Sequence, residues 1–148
     1  MRKAMKLAGL AAAIAFAIVG FASPAAAIGT PGEHTSEWEC DTARGGTGTG
    51  TWVSAWCATK SGSGSVKATW YPLSGAVEKM TVYDNYPNGY HTYAFLTVAT
   101  HQENLPVHTG QSSEDFTFNY KEGLNVNFWV CSSSKDNAAC SPRAYTMT

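Results

Sequence analysis

The chain has 148 residues, 44% of them hydrophobic and 14% charged, and its formal net charge is −1. The low net charge gives the protein no electrostatic reason to bind nucleic acid or anionic lipid. Four cysteines and a high aromatic content instead favour a small globular domain stabilised by disulfides.

The first residues are typical of a secretory leader. Three basic residues within the first six positions precede the uncharged stretch Leu7–Phe21, and small residues ending in Ala25–Ala27 follow. This order predicts a signal peptide over residues 1–27, cleaved after Ala27. The apolar stretch is shorter than the roughly 20 residues that a membrane span needs. We therefore predict a secreted protein with no membrane association after cleavage.

The predicted mature part, residues 28–148, fits a single disulfide-bonded β domain. It holds eleven acidic and seven basic residues, which gives a formal charge of −4. An even number of cysteines in a secreted chain indicates disulfides, and four cysteines allow three pairings. We favour Cys40–Cys57 and Cys131–Cys140, because each pair is close in sequence. Zinc is disfavoured, since the spacings are not those of a zinc site.

After the leader, short runs with a period of two predict strands that each place one face on a core. Gly and Ser clusters separate them, and Arg44–Gly50 is predicted to be a glycine-rich loop. The runs indicate an all-β fold of about seven or eight antiparallel strands, either a sandwich or a small barrel. The predicted strands are Trp38–Asp41, Thr51–Thr59, Val66–Tyr71, Val77–Asp84, Tyr90–Thr100, Asp115–Lys121, Val126–Cys131 and Ala144–Met147.

The segments around Tyr90–Thr100 give further predictions about how the strands are connected. Asp84–Gly89 contains Pro-Asn-Gly, which suits a turn and predicts a hairpin between the strands on either side. Tyr90–Thr100 has apolar residues on both faces, which is typical of a central strand. The polar segment Gln102–Ser113 is predicted to be a long loop.

Aromatic residues are the main candidates for ligand contact. Trp52 and Trp56 share one face of their strand, and Trp70 lies on the strand predicted to pair with it. If that face points outward, the three indoles make a platform for stacking on sugar rings; if it points inward, they are core. Tyr86, at the predicted hairpin tip, is expected to be exposed and to contact a partner.

Motifs for catalysis and for metal binding are missing from the sequence. No Gly-x-Ser-x-Gly or His-Glu-x-x-His occurs, and nothing pairs two carboxylates as a glycosidase requires. Asp84–Gly89 resembles part of an EF-hand loop, but Tyr86 and Phe95 stand where calcium ligands are needed. We therefore expect a non-catalytic protein with no cofactor and no metal, and keep a small hydrolase with an unrecognised site as an alternative.

The sequence thus favours a secreted binding module for an extracellular or cell-wall polysaccharide, with contacts at Trp52, Trp56, Trp70 and Tyr86. A second hypothesis is an inhibitor or effector that binds an extracellular protein. The loop closed by Cys131 and Cys140 would then be the binding element, with Lys135 as its contact residue, since a loop held by a disulfide is pre-organised.

Overall fold

A computed structural model of the protein describes residues 29–46, 51–73, 77–107, 110, 112–135 and 137–148, so the predicted signal peptide lies outside the described residues. The described residues form nine strands and no helix, and accordingly no helix that could span a membrane. The predicted all-β class is confirmed. The strands are β1 Trp38–Gly45, β2 Trp52–Thr59, β3 Ser65–Leu73, β4 Val77–Asn85, β5 Thr92–Val98, β6 His101–Val107, β7 Ser112–Phe118, β8 Asn125–Cys131 and β9 Ala144–Met147.

The strands form two antiparallel sheets that pack face to face as a β-sandwich. The first sheet has five strands in the order β1-β2-β3-β4-β7, and the second has four in the order β6-β5-β8-β9. As predicted, β5 is a central strand, because it pairs with β6 on one side and β8 on the other.

The core lies between the sheets and follows from the period of two along each strand. In β2, alternate residues Val53, Ala55 and Cys57 are buried, and in β8 the inward residues include Phe128. The largest completely buried side chain is Trp70 of β3. Each such apolar side chain contributes about 1.5–3 kcal/mol when it leaves water, so this layer supplies most of the stability of the fold.

Both disulfides have the favoured pairing. Cys40 and Cys57 are directly opposite each other on β1 and β2, and Cys131 and Cys140 face each other across an isolated bridge. In the chain-entropy model each closed loop stabilises the fold by about 3 kcal/mol. Two disulfides are also consistent with an oxidising environment.

A second apolar cluster lies on the outer side of the four-stranded sheet. It contains Phe95, Trp129 and the Cys131–Cys140 disulfide. The N-terminal segment passes over it, since Trp129 Nε1 donates a hydrogen bond of 3.2 Å to the carbonyl of Gly29. The backbone N–H of Cys140 also donates to the carbonyl of Glu33. This part of the four-stranded sheet is therefore covered.

Two predictions about connections are wrong. The segment predicted to be a loop contains the strand β6, whose only buried side chains are Leu105 and Val107. It is an edge strand, and Pro106, which has no backbone N–H, is tolerated there because one side of an edge strand forms no hydrogen bonds to a neighbouring strand. The predicted hairpin between β4 and β5 is also absent. Both sides of β4 are occupied, by β3 and β7, so the chain crosses to the other sheet.

Candidate functional site

The candidate site is on the outer face of the five-stranded sheet, the side that points away from the four-stranded sheet. The strand register arranges its side chains in rows that run across the strands. The first row joins Trp56 of β2, Lys67 of β3, Tyr83 of β4 and Ser113 of β7. We call this row the aromatic row. It brings together residues that are far apart in sequence.

A middle row of small polar residues lies beside the aromatic row. Ser54, Thr69 and Thr81 point outward, yet each is at most 5% exposed. Larger side chains on both sides shield them from water. On the far side of this middle row, Tyr71 faces Lys79 across β3 and β4. The outer face is thus a band of small hydroxyl-bearing residues between two bands of aromatic and lysine side chains.

A groove of about 680 Å³ runs along the aromatic row. The rings of Trp56 and Tyr83 line it, together with the polar side chains of Ser65, Asn85 and Ser113. Cys57, Val66 and Asp84 border it as well, and all three are buried. An apolar ring surface with a few convergent polar groups is the usual composition of a small-ligand site.

Two lysines lie over tyrosine rings on this face, but their charges are differently compensated. Lys67 Nζ is 4.9 Å from the centre of the Tyr83 ring, and Lys79 Nζ is 5.3 Å from that of Tyr71. Lys79 also forms an ion pair with Asp115 at 3.5 Å. Within the described part of the chain, Lys67 forms no ion pair. Its charge is therefore available to a ligand in the groove.

Asp115 is held in its charged form by its neighbours. The hydroxyl of Thr81 donates a hydrogen bond of 2.6 Å to Asp115 Oδ1. This hydrogen bond is the main cause that lowers the pKa of Asp115 below its ordinary value of 3.8, and the positive charge of Lys79 adds to the effect. Asp115 is thus a charge partner for Lys79.

The structure separates the predicted tryptophan contacts. Trp52 and Trp56 both lie half-buried on the outer face, whereas Trp70 is 0% exposed and on the inner face. The reason is the register, which places Trp70 opposite the core residue Val53. The prediction that all three indoles form one platform is therefore wrong for Trp70. Trp52 lies over Gly45 at the β1 edge, and Trp56 lines the groove.

The expectation that Tyr86 is an exposed hairpin tip is also wrong. Its ring packs edge-on against Trp38, with 4.9 Å between ring centres, and joins the main core cluster. A Cβ at Gly64 would overlap the Tyr86 ring, so the absence of a side chain at Gly64 makes room for the ring. Within this connection Asp84 Oδ1 accepts the N–H of Tyr86 at 2.9 Å, and Gly89 has a φ of 76°, in the left-handed region.

The loop closed by Cys131 and Cys140 lies against the body of the protein. Ser132 and Ala139 are buried, and the N–H of Ser132 donates to the carbonyl of Ala139. Lys135 is exposed, but its ammonium lies 4.4 Å from the centre of the Tyr90 ring. The ends of the loop are therefore fixed against the body of the protein, and its exposed lysine lies over the ring of Tyr90.

A second group of titratable residues lies at the other end of the sandwich. Tyr120 donates a hydrogen bond of 2.7 Å to Glu103, and His101 is 2.9 Å from the same carboxylate oxygen. The buried Glu78 accepts the backbone N–H of Tyr120. Burial and the adjacent Glu103 raise the pKa of the Tyr120 hydroxyl well above its ordinary value. The group links the edges of the two sheets.

Among the described residues, no set of three or more His, Cys, Asp or Glu side chains could hold a metal ion. The sequence missed two members of the groove, Lys67 and Tyr83. The spacing within each strand gives their faces, but only the register across β2, β3 and β4 shows that they flank the same groove as Trp56.

Comparison of the chain with protein-family models, with curated proteins and with solved structures gave no significant match. The class that fold and site define is therefore a two-disulfide β-sandwich with an aromatic groove on the outer face of one sheet.

Proposed function

We propose that the protein is a secreted, non-catalytic module that binds an extracellular or cell-wall polysaccharide in the groove along the aromatic row. The observation that carries this proposal is the pairing of two rings, Trp56 and Tyr83, with hydroxyl and amide groups in one open groove. The apolar face of a sugar ring packs on an aromatic face, while its hydroxyls need hydrogen-bond partners at the rim.

The shape of the site supports a polymer as the ligand. The aromatic row runs across four strands, and strands in a sheet are spaced about 4.8 Å apart. The row is therefore longer than a single sugar unit and open along its length. The leader pattern and the two disulfides support secretion.

The experiment is a pull-down of the protein on insoluble polysaccharides and isolated cell walls, followed by titration of tryptophan fluorescence with soluble fragments. We expect Trp56→Ala to weaken binding at least about tenfold, since a central aromatic contact is worth about 2 kcal/mol or more. Tyr145→Ala is the matched control, because Tyr145 is 57% exposed but lies on the four-stranded sheet. Equal affinity of the wild type and Trp56→Ala would refute the assignment of the groove.

A further inference from the structure

The groove contains one positive charge, that of Lys67, which forms no ion pair with any residue that the structure describes. Lys67 lies between Trp56 and Tyr83 in the aromatic row and is exposed. The tyrosine ring occupies one side of its ammonium group at 4.9 Å. An aromatic ring attracts a cation but carries no net negative charge. The ammonium group therefore keeps its positive charge, and its N–H groups that point away from the ring can still donate hydrogen bonds.

The second lysine on the same face serves as an internal comparison. Lys79 has the same arrangement over Tyr71, and its charge is neutralised by Asp115. Asp41 is opposite Trp56 on the edge strand β1, so the position of Trp56 separates this carboxylate from Lys67. The uncompensated charge is thus confined to the groove, where a ligand would meet it together with both rings.

On the basis of the proposed polysaccharide-binding function, we infer that the groove selects a glycan whose sugar units carry an anionic group, with Lys67 as the residue that binds it. A carboxylate and a sulfate ester share the required chemistry, since each accepts charge-assisted hydrogen bonds from an ammonium. Different sugar units of the polymer stack on Trp56 and on the side of Tyr83 that Lys67 leaves open, and an anionic substituent points to Lys67 between them.

The overall charge of the protein does not favour an anionic ligand. The predicted mature chain has eleven acidic and seven basic residues, so a polyanion gains nothing from the protein as a whole. A preference for an acidic glycan over its neutral counterpart must therefore arise at a local contact. Lys67 is the exposed charged residue on the groove wall, since the other charged residue that borders the groove, Asp84, is buried.

The test compares glycans that differ only in charge, namely polygalacturonate with its carboxyl-reduced form, and dextran sulfate with dextran. The first pair detects a carboxylate and the second a sulfate. The protein is expressed from the full chain, as wild type and as Lys67→Gln, Lys67→Arg and Lys79→Gln. Thermal unfolding of each variant shows that the fold is intact, and affinity electrophoresis gives the dissociation constants.

We expect wild type to bind one acidic polymer about tenfold more tightly than its neutral partner, the range for a hydrogen bond to a charged group. Lys67→Gln should remove this preference, whereas Lys67→Arg and Lys79→Gln should keep it. Equal binding of acidic and neutral partners by wild type would overturn the inference but leave the polysaccharide proposal standing. An acidic preference that survives in Lys67→Gln would also overturn it. Absence of binding to these polymers and to the neutral wall polysaccharides would overturn both proposals.

Discussion

The indole of Trp52 lies over Gly45, directly across the first two strands of the five-stranded sheet. A Cβ at Gly45 would stand 2.5 Å from Cζ2 and 2.7 Å from Cε2 of the indole. Because Gly45 has no side chain, the indole of Trp52 can pack directly on its backbone at the edge of the sheet. The pair explains why Trp52 is half-buried although it faces outward.

The first prediction is that Gly45→Ala destabilises the protein only while Trp52 is present. In wild type the new methyl group must displace the indole, and such overpacking costs about 1–3 kcal/mol. In Trp52→Ala the same change removes only the flexibility of an extended glycine, which stabilises by about 0.4–1 kcal/mol. Urea unfolding of the four proteins in this cycle gives the coupling free energy. An equal effect of Gly45→Ala in both backgrounds would show that the ring does not rest on this glycine.

The separation of the tryptophans shows what the sequence could and could not predict. The alternation within β3 places Trp70 with Val66 and Ala68, two small apolar residues, and this pattern indicates a core face. The strand that holds Trp52 and Trp56 has Val53, Ala55 and Cys57 on its other face, so the outward orientation of both indoles was also accessible. Treating the three indoles as one set ignored the register, which sets Trp70 against Val53.

Other features depend on contacts that no local pattern encodes. Strand spacing and cysteine separation predicted the all-β class and both disulfides. The position of Tyr86 instead depends on the missing side chain of Gly64 and on Trp38, both distant in sequence. The edge strand β6 escaped detection because its inner face is short and carries Glu103 beside its two apolar residues. The groove exists only through the pairing of β2, β3, β4 and β7.

The second prediction concerns Asp115 on the outer face. The largest single cause of its lowered pKa is the hydrogen bond from the hydroxyl of Thr81, and the charge of Lys79 is a smaller cause. We therefore expect Thr81→Val to raise the pKa of Asp115 more than Lys79→Gln does. Carboxyl carbon chemical shifts followed by NMR across an acid titration measure both changes.

The lowered pKa of Asp115 also makes the stability of the protein depend on pH in the acid range. Because the folded state lowers the pKa of Asp115, its contribution is present above the ordinary value of 3.8 and is lost as the pH falls through the folded value. The wild type should thus lose more stability than Thr81→Val over this acid range. A larger pKa shift in Lys79→Gln than in Thr81→Val would show that charge, and not the hydroxyl, controls this carboxylate.

The third prediction concerns Tyr120 and alkaline pH. Burial and Glu103 raise the pKa of its hydroxyl above the ordinary value of 10.0, so the folded protein retains a proton that the unfolded chain loses. The stability contributed by this group is complete below about pH 10 and declines as the pH rises further. Tyr120→Phe lacks both the proton and the hydrogen bond to Glu103. Below pH 10 we expect it to be less stable than wild type by about 1 kcal/mol.

Above about pH 10 the unfolding free energies of wild type and Tyr120→Phe should converge, since only the wild type loses the contribution of this phenol. Urea unfolding at a series of alkaline pH values gives both curves, and absorbance of the phenolate reports the ionisation. Tyr145→Phe is the control and should follow wild type throughout, because Tyr145 is 57% exposed and its hydroxyl has no hydrogen bond to a carboxylate among the described residues. If the unfolding free energies of wild type and Tyr120→Phe changed in parallel with pH, the phenolic proton shared with Glu103 would not contribute to stability.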